Sequence, residues 1–320
     1  MIKSIYYAKK IIERQVRKKQ YEMIDEVFSK YQKGYYWTNE NIDYYLKLAN
    51  LKNTSKALTV TSTGDHTFNL IYHGINNIDT FDINNLTEYF ALGLKRAMII
   101  EYNYFEFINM INYIADPYIS LEQLTDIINN LTYNMERKHQ IFWRQIIDYN
   151  YKLQKKTGTN LNLIHMLYIG VYAKTTSLNN NSYLQDEYSY ENFRLKLIKA
   201  NISFKNCDAL DLSNAFKDKK YDLILLSNIL DYVNSRWGNN WGYNELYGYI
   251  KSLDCISNQD AVIFLKYIIS YIDNGKVKDH IFHNSIITSE DFQDSIYEVP
   301  KHTTSSERDG IILRRVKIDK

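Results

Sequence analysis

Apolar residues at Ile5, Ile12, Val16, Ile24, Val27 and Phe28 recur near helical spacing with Lys and Arg between them, which predicts an amphipathic helix over residues 1 to 33. A helix-like stretch, Asn41 to Leu51, follows. The pattern then changes. Ala57 to Thr61 (ALTVT) is β-branched and apolar, breaks at Ser62-Thr63-Gly64-Asp65, turns helical over Thr67 to His73, and returns to strand character at Ile78 to Phe81 before Asp82. Strand, glycine turn, helix, strand and acid is the order of a βαβ unit. From Leu86 to about Lys199 the period is helical, with candidate helices at Leu86 to Glu101, Tyr104 to Ile114, Leu121 to Leu153, Asn160 to Ala173 and Tyr190 to Ala200. Thr175 to Ser189 is polar enough to be a mobile loop among them.

A βαβ unit takes roughly 30 residues. The next strand candidate, Ile202 to Lys205, lies 120 residues past Asp82, so a helical insertion must interrupt the sheet between its second and third strands. Tyr221 to Leu226 (YDLILL) and Ala261 to Lys266 (AVIFLK) are nearly continuous apolar runs, as parallel strands buried on both faces require, and Leu246 to Leu253 supplies a connecting helix. Ile281 to Ile287 and Ile311 to Val316 predict an antiparallel end to the sheet. The expected fold is therefore α/β, a mainly parallel sheet with a large helical insertion after its second strand. The expected division is an N-terminal helical segment (1 to 55), an α/β domain from 56 to 85 and 200 to 320, and the insertion (86 to 199) as a lid over the acceptor site.

The composition, 45% hydrophobic and 24% charged, is that of a globular chain, and 320 residues suffice for a full core without staples. Cys207 and Cys255 fit neither a disulfide framework nor a zinc pattern, and no run of 18 apolar residues occurs, so a cytoplasmic, reducing setting is expected. A net charge of +2 gives no overall drive toward nucleic acid. Charge is uneven locally: the first 19 residues hold seven Lys or Arg against Glu13 alone. That stripe is either a solvated helix face or a contact with anionic lipid at a membrane surface.

Candidate chemistry concentrates in TVTSTGDHTFNLIYHG, residues 59 to 74. A glycine in the first βα turn lets a ligand approach the backbone at a helix N-terminus. Gly64 stands alone there, without the other glycines of the dinucleotide fingerprint, which argues against a nicotinamide or flavin cofactor. Asp65 beside it suits a ligand with a cationic end. Asp82 follows Gly64 by 18 residues, close to the spacing of the acid that binds a ribose in doubly wound folds. By spacing alone a nucleotide site and a plain tight turn both remain open. Asp231 and Tyr232, directly after the YDLILL strand, are candidates to position or deprotonate an acceptor, and Asp231 is equally an ordinary helix cap. Arg236, Trp237 and Trp241 either line the same mouth or pack in the core, Glu307, Arg308 and Asp309 reach it if the last strand is antiparallel or else form a solvated loop, and His66 is either a base beside the turn or a structural histidine of the helix first turn. His280 and His283, the one close histidine pair, have no third ligand nearby, so no metal is expected.

Residues 59 to 84, TVTSTGDHTFNLIYHGINNIDTFDIN, resemble the signature of the BtaA-like family, which contains S-adenosylmethionine:diacylglycerol 3-amino-3-carboxypropyltransferases. The resemblance continues at Tyr36 to Glu40, Asn206 to Ala209, YDLILLSNILDY (221 to 232) and LRRV (313 to 316), with Asn85 standing where that family has proline. It implies a class I methyltransferase-like, Rossmann-like fold with S-adenosylmethionine as cofactor. Ser62, Gly64 and Asp65 would then hold the methionine part, Asp82 the ribose hydroxyls, and Asp208 the adenine amino group, with Ser227 and Asn228 beside the sulfonium. The function expected is transfer of an aminocarboxypropyl group to a lipid or small-molecule acceptor. The alternatives are methyl transfer, a non-enzymatic nucleotide-binding or scaffold module, and a nicotinamide oxidoreductase.

Overall fold

The computed structural model describes residues 1–20, 33–49, 56–170, 175–230, 243–273, 276–277, 296–300 and 308–317. Among the described residues, seven strands follow one another across the main sheet: β1 (Ala57–Val60), β2 (Asn77–Asp82), β3 (Asn201–Asn206), β4 (Tyr221–Leu225), β5 (Ser257–Asp273), β6 (Ile296–Pro300) and β7 (Arg308–Arg315). Their spatial order is β3-β2-β1-β4-β5-β7-β6, and the two-residue strand Lys276–Val277 pairs with the end of β5. The first five are parallel, in registers such as Ala57 opposite Ile78 and Leu223, whereas β7 is antiparallel to both β5 and β6. The first five positions follow the doubly wound order, with the reversal between β1 and β4. With its antiparallel β7 the sheet is class I methyltransferase-like, as expected, and 118 residues of mostly helix separate β2 from β3.

The apolar runs are explained by burial on two faces. Along β4 and β5, Leu223, Leu225, Val262 and Phe264 join one core cluster, while the intervening Ile224, Ile263 and Leu265 join the other. Strand side chains alternate faces, so a strand covered on both must be apolar at every position. The first cluster also contains Ile5, Ile12 and Val16 of the N-terminal helix together with Phe107, Trp143 and Phe193 of the insertion. The insertion and the N-terminal helix thus form one layer on the sheet. The helix Tyr243–Ser252 and the turn around Leu212 cover the opposite face.

The N-terminal helix spans Ile2–Lys18 and ends at Lys19 in the left-handed region, and the remainder of its expected length, residues 21 to 32, lies outside the described residues. It packs its apolar face on the helix Arg137–Thr157, with its basic residues outward. Among the described residues, no helix is long and apolar enough to cross a membrane.

Three expectations are corrected. Leu121 to Leu153 is two helices, Leu121–Asn130 and Arg137–Thr157, because Met135 is extended between them. The helix expected over Asn160 to Ala173 is Leu163–Leu167, followed by Tyr168–Ile169 paired as a parallel strand with Gly34–Tyr35. Thr175 to Ser189 is not a mobile loop: Ser182, Tyr183 and Leu184 form a buried turn, because Tyr183 and Leu184 supply core volume inside an otherwise polar stretch. Among its described residues the insertion supplies only Thr87 to the wall of the cavity described below, and its apolar side chains pack in the core cluster on one face of the sheet. The candidate strand Ile281 to Ile287 lies outside the described residues.

Candidate active site

A cavity of about 320 Å³ opens at the carboxyl ends of β1, β2 and β4, where the strand order reverses. Its wall includes Ser62, Thr63 and His66 after β1, Asp82 and Asn84 after β2, Ala209 after β3, and Ser227 and Asn228 after β4. The segment Lys33 to Glu40, which precedes β1, closes another side with Trp37 and Glu40.

Two serines on this wall have left-handed backbones, Ser62 at φ 42° and Ser227 at φ 57°. Such a conformation costs a residue with a Cβ about 1–3 kcal/mol and persists where the surroundings over-determine it. Both serines lie two residues past a strand end, Ser62 after β1 and Ser227 after β4. Gly64 has φ 84° and caps the helix Asp65–Tyr72. A Cβ there would lie 3.0 Å from both Ala91 Cβ and Phe68 Cε2. Gly64→Ala is therefore expected to destabilise the protein by at least about 1–2 kcal/mol, the ordinary cost of a left-handed alanine, as read by chemical denaturation. Wild-type stability in that variant would remove the steric role assigned to the turn.

Asp82 ends β2 half-buried. Its carboxylate accepts the N–H of Ser62 and the N–H of Asn84, each at 2.9 Å. Burial pushes its pKa up to about 6 against the opposing pull of those hydrogen bonds. The acid expected from spacing is on the cavity wall, tied to the glycine turn by one of its own oxygens.

Asp65 is a correction. It is fully buried and absent from the cavity wall. One carboxylate oxygen accepts from Lys95 Nζ at 2.5 Å and from the Tyr183 hydroxyl at 2.8 Å. The other accepts the Thr38 N–H at 2.7 Å and the Thr63 hydroxyl at 2.9 Å. With four donors in place, Asp65 ties three segments together behind the site and does not grip a ligand. Lys95, also fully buried, ends a π-helix (Glu88–Lys95), donates to the Tyr36 carbonyl at 3.0 Å, and lies 4.0 Å from the centre of the Trp37 ring. π-helical segments recur at functional sites, and this one brings a lysine under the glycine turn.

Asp208 is half-buried beside the cavity: one carboxylate oxygen accepts the N–H of Leu210 at 3.0 Å as a local cap, and its neighbour Ala209 is on the wall. Ser227, Asn228 and Ser62 are on the wall as expected, and His66 joins them. Asp231, Tyr232, Arg236, Trp237, Trp241, His280, His283 and Glu307 lie outside the described residues, as does the side chain of Arg308. Asp309 is buried on the antiparallel β7 and accepts from the Tyr267 hydroxyl at 2.6 Å, whose oxygen in turn accepts the Asn41 N–H at 3.0 Å. It braces the segment next to the cavity without lining it.

Glu40 stands at the end of the Tyr36 to Glu40 segment of the resemblance, and sequence reasoning gave it no role. Its side chain is 3% exposed, its Oε2 lies 3.0 Å from His66 Nε2, and its Oε1 accepts from the Ser227 hydroxyl. A second polar cluster, Asp43, His73 and Ser182, has the residue types of a hydrolytic triad but not its geometry. Asp43 and Ser182 both approach the same ring nitrogen, Nε2, at 3.3 and 3.4 Å, whereas a triad uses the two nitrogens separately. Among the described residues no group of His, Cys, Asp and Glu is arranged to hold a metal ion.

No family model matches the chain, and no curated protein does. Among solved structures the chain is similar to the rRNA methyltransferase aviRa from Streptomyces viridochromogenes, at 12% identity and a TM-score of 0.37 over 85% of this chain and 81% of that one. It is also similar to the N-methyltransferase NodS from Bradyrhizobium japonicum, at 11% identity and a TM-score of 0.37 over 86% of this chain and 94% of that one.

Proposed function

We propose that the protein is an S-adenosylmethionine-dependent transferase that moves a 3-amino-3-carboxypropyl group to a lipid or small-molecule acceptor. The observation that carries the cofactor assignment is Asp82, the last residue of the second strand of a doubly wound sheet, with its carboxylate on a cavity beside the strand-order reversal. Ligands of such sheets bind at that point, and an acid there accepts ribose hydroxyls. The donor set fits the cofactor. The cavity is of a size used for small molecules. It offers carboxylates at Asp82 and Glu40 for a ligand carrying a diol and an ammonium, and an apolar wall of Val60, Phe81, Ile83 and Ile229 for a flat ring.

The bound cofactor supplies a sulfonium that activates three carbons, and the protein selects among them by which one it holds in line with the acceptor, at about 3–3.5 Å. Asp82 accepts from the ribose, Ser62 and Gly64 shape the turn against which the ligand lies, and the apolar wall excludes water. The preference for aminocarboxypropyl over methyl transfer rests on the resemblance of residues 59 to 84, since Asp65 is committed to Lys95. Incubation with S-adenosylmethionine and a cell lipid or metabolite extract is expected to release methylthioadenosine, whereas acceptor-dependent release of S-adenosylhomocysteine alone would mean methyl transfer. Calorimetry against S-adenosylmethionine and NAD separates both from the scaffold and oxidoreductase readings.

A further inference from the structure

We infer that Glu40, from the segment before the first strand, is the anchor for a primary ammonium in this cavity, and that in the cofactor reading above, on which this rests, it grips the amino group of the methionine moiety. Three observations carry it. Among the described residues, Glu40 and Asp82 are the only carboxylates on the wall of the cavity, and Asp82 belongs to the β2 end while Glu40 touches Ser227 and His66, after β4 and β1. A ligand with a diol at one end and an ammonium at the other meets one acid with each.

The second observation is charge. A carboxylate this buried needs a cation or several donors. Among the described residues, Glu40 has no Lys or Arg within ion-pair distance, and its side-chain neighbours are a hydroxyl and an imidazole. Its two oxygens keep acceptor capacity that an ammonium with three N–H groups would use. The contrast with Asp65 is direct, since that acid holds its own lysine and four donors.

The third observation is rigidity. The Glu40 N–H donates to Thr38 Oγ1 at 3.2 Å, the Thr38 N–H is held by Asp65, and the next N–H, that of Asn41, is held by the Tyr267 hydroxyl. The backbone on both sides of Glu40 is therefore fixed, and a fixed acceptor binds a cation without an ordering cost.

The test is calorimetry with three nucleosides: S-adenosylhomocysteine, its deaminated analogue, and methylthioadenosine, which lacks the amino-acid part. The wild-type protein is expected to prefer S-adenosylhomocysteine over the deaminated analogue by about tenfold or more, the size of a charge-assisted hydrogen bond. Glu40→Gln, which keeps the shape and one acceptor oxygen but removes the charge, is expected to erase that preference and to leave methylthioadenosine binding unchanged. Equal wild-type affinity for the two homocysteine compounds overturns the assignment whatever the variant does, as does a Glu40→Gln protein that loses methylthioadenosine equally or loses nothing. A wild-type protein that binds none of the three ends the cofactor reading and this subsite with it, whereas binding of methylthioadenosine without amino-group preference ends the subsite alone.

Discussion

Lys95→Met is expected to lower folding stability by about 3–5 kcal/mol, because it takes from the fully buried Asp65 carboxylate the one cation among its four donors. Both side chains are fully buried and 2.5 Å apart. Burial pushes the Lys95 amine below its ordinary pKa, against the pull of Asp65. The double variant Lys95→Met with Asp65→Asn removes both charges and keeps an acceptor for the Thr38 N–H, so it should recover more than half of the loss. Denaturant unfolding of both proteins checks this. A single variant within about 1 kcal/mol of wild type would mean that the pair does not hold the three segments together.

Asp82→Ala is expected to weaken S-adenosylmethionine binding by about tenfold or more, since charge-assisted hydrogen bonds to both ribose hydroxyls are each worth about 1.5–3 kcal/mol. The free protein should also lose about 1–3 kcal/mol, because the N–H groups of Ser62 and Asn84 lose their acceptor. A pH series separates the two roles. With a folded pKa raised to about 6, above its ordinary value of 3.8, Asp82 binds its proton more tightly in the folded state. Its contribution to stability is present in full below pH about 4 and is lost as pH rises through about 6. Ligand binding runs the other way, since only the ionised carboxylate accepts from both hydroxyls. Cofactor affinity should therefore rise through pH 6 in the wild type and be flat there in Asp82→Ala. Unaltered affinity in the variant would remove Asp82 from the site.

Both experiments act on the turn at residues 61 to 65, which is held from two directions. Asp82 takes the Ser62 N–H from the cavity side, and Lys95 takes the Thr63 carbonyl at 3.3 Å from beneath. The first change is expected to report on ligand affinity and the second on folding, although the two residues brace neighbouring peptide groups.

Local chemistry along the chain determined the sheet and one end of the site. Period and β-branched runs located β1, β2, β4 and the cores of β5 and β7, because strands buried on two faces must be apolar throughout and this is visible without knowing their partners. The 18-residue interval from Gly64 to Asp82 located the acid on the cavity wall, because a βαβ unit fixes the distance from its first turn to its second strand end. Tertiary structure alone decided which of the remaining charges face the cavity. Asp65 is next to the glycine in sequence, but a lysine 30 positions later reaches it through the π-helix and takes it out of the cavity. Lys95 within the apolar stretch FALGLKRAMII was the available sign of such a buried pair, and it named no partner. Glu40 comes to the site from before the first strand, 187 positions from the serine it meets. Charge, hydrogen bonding and burial depend on neighbours in space, and for these residues every deciding neighbour is supplied by a different segment of the chain.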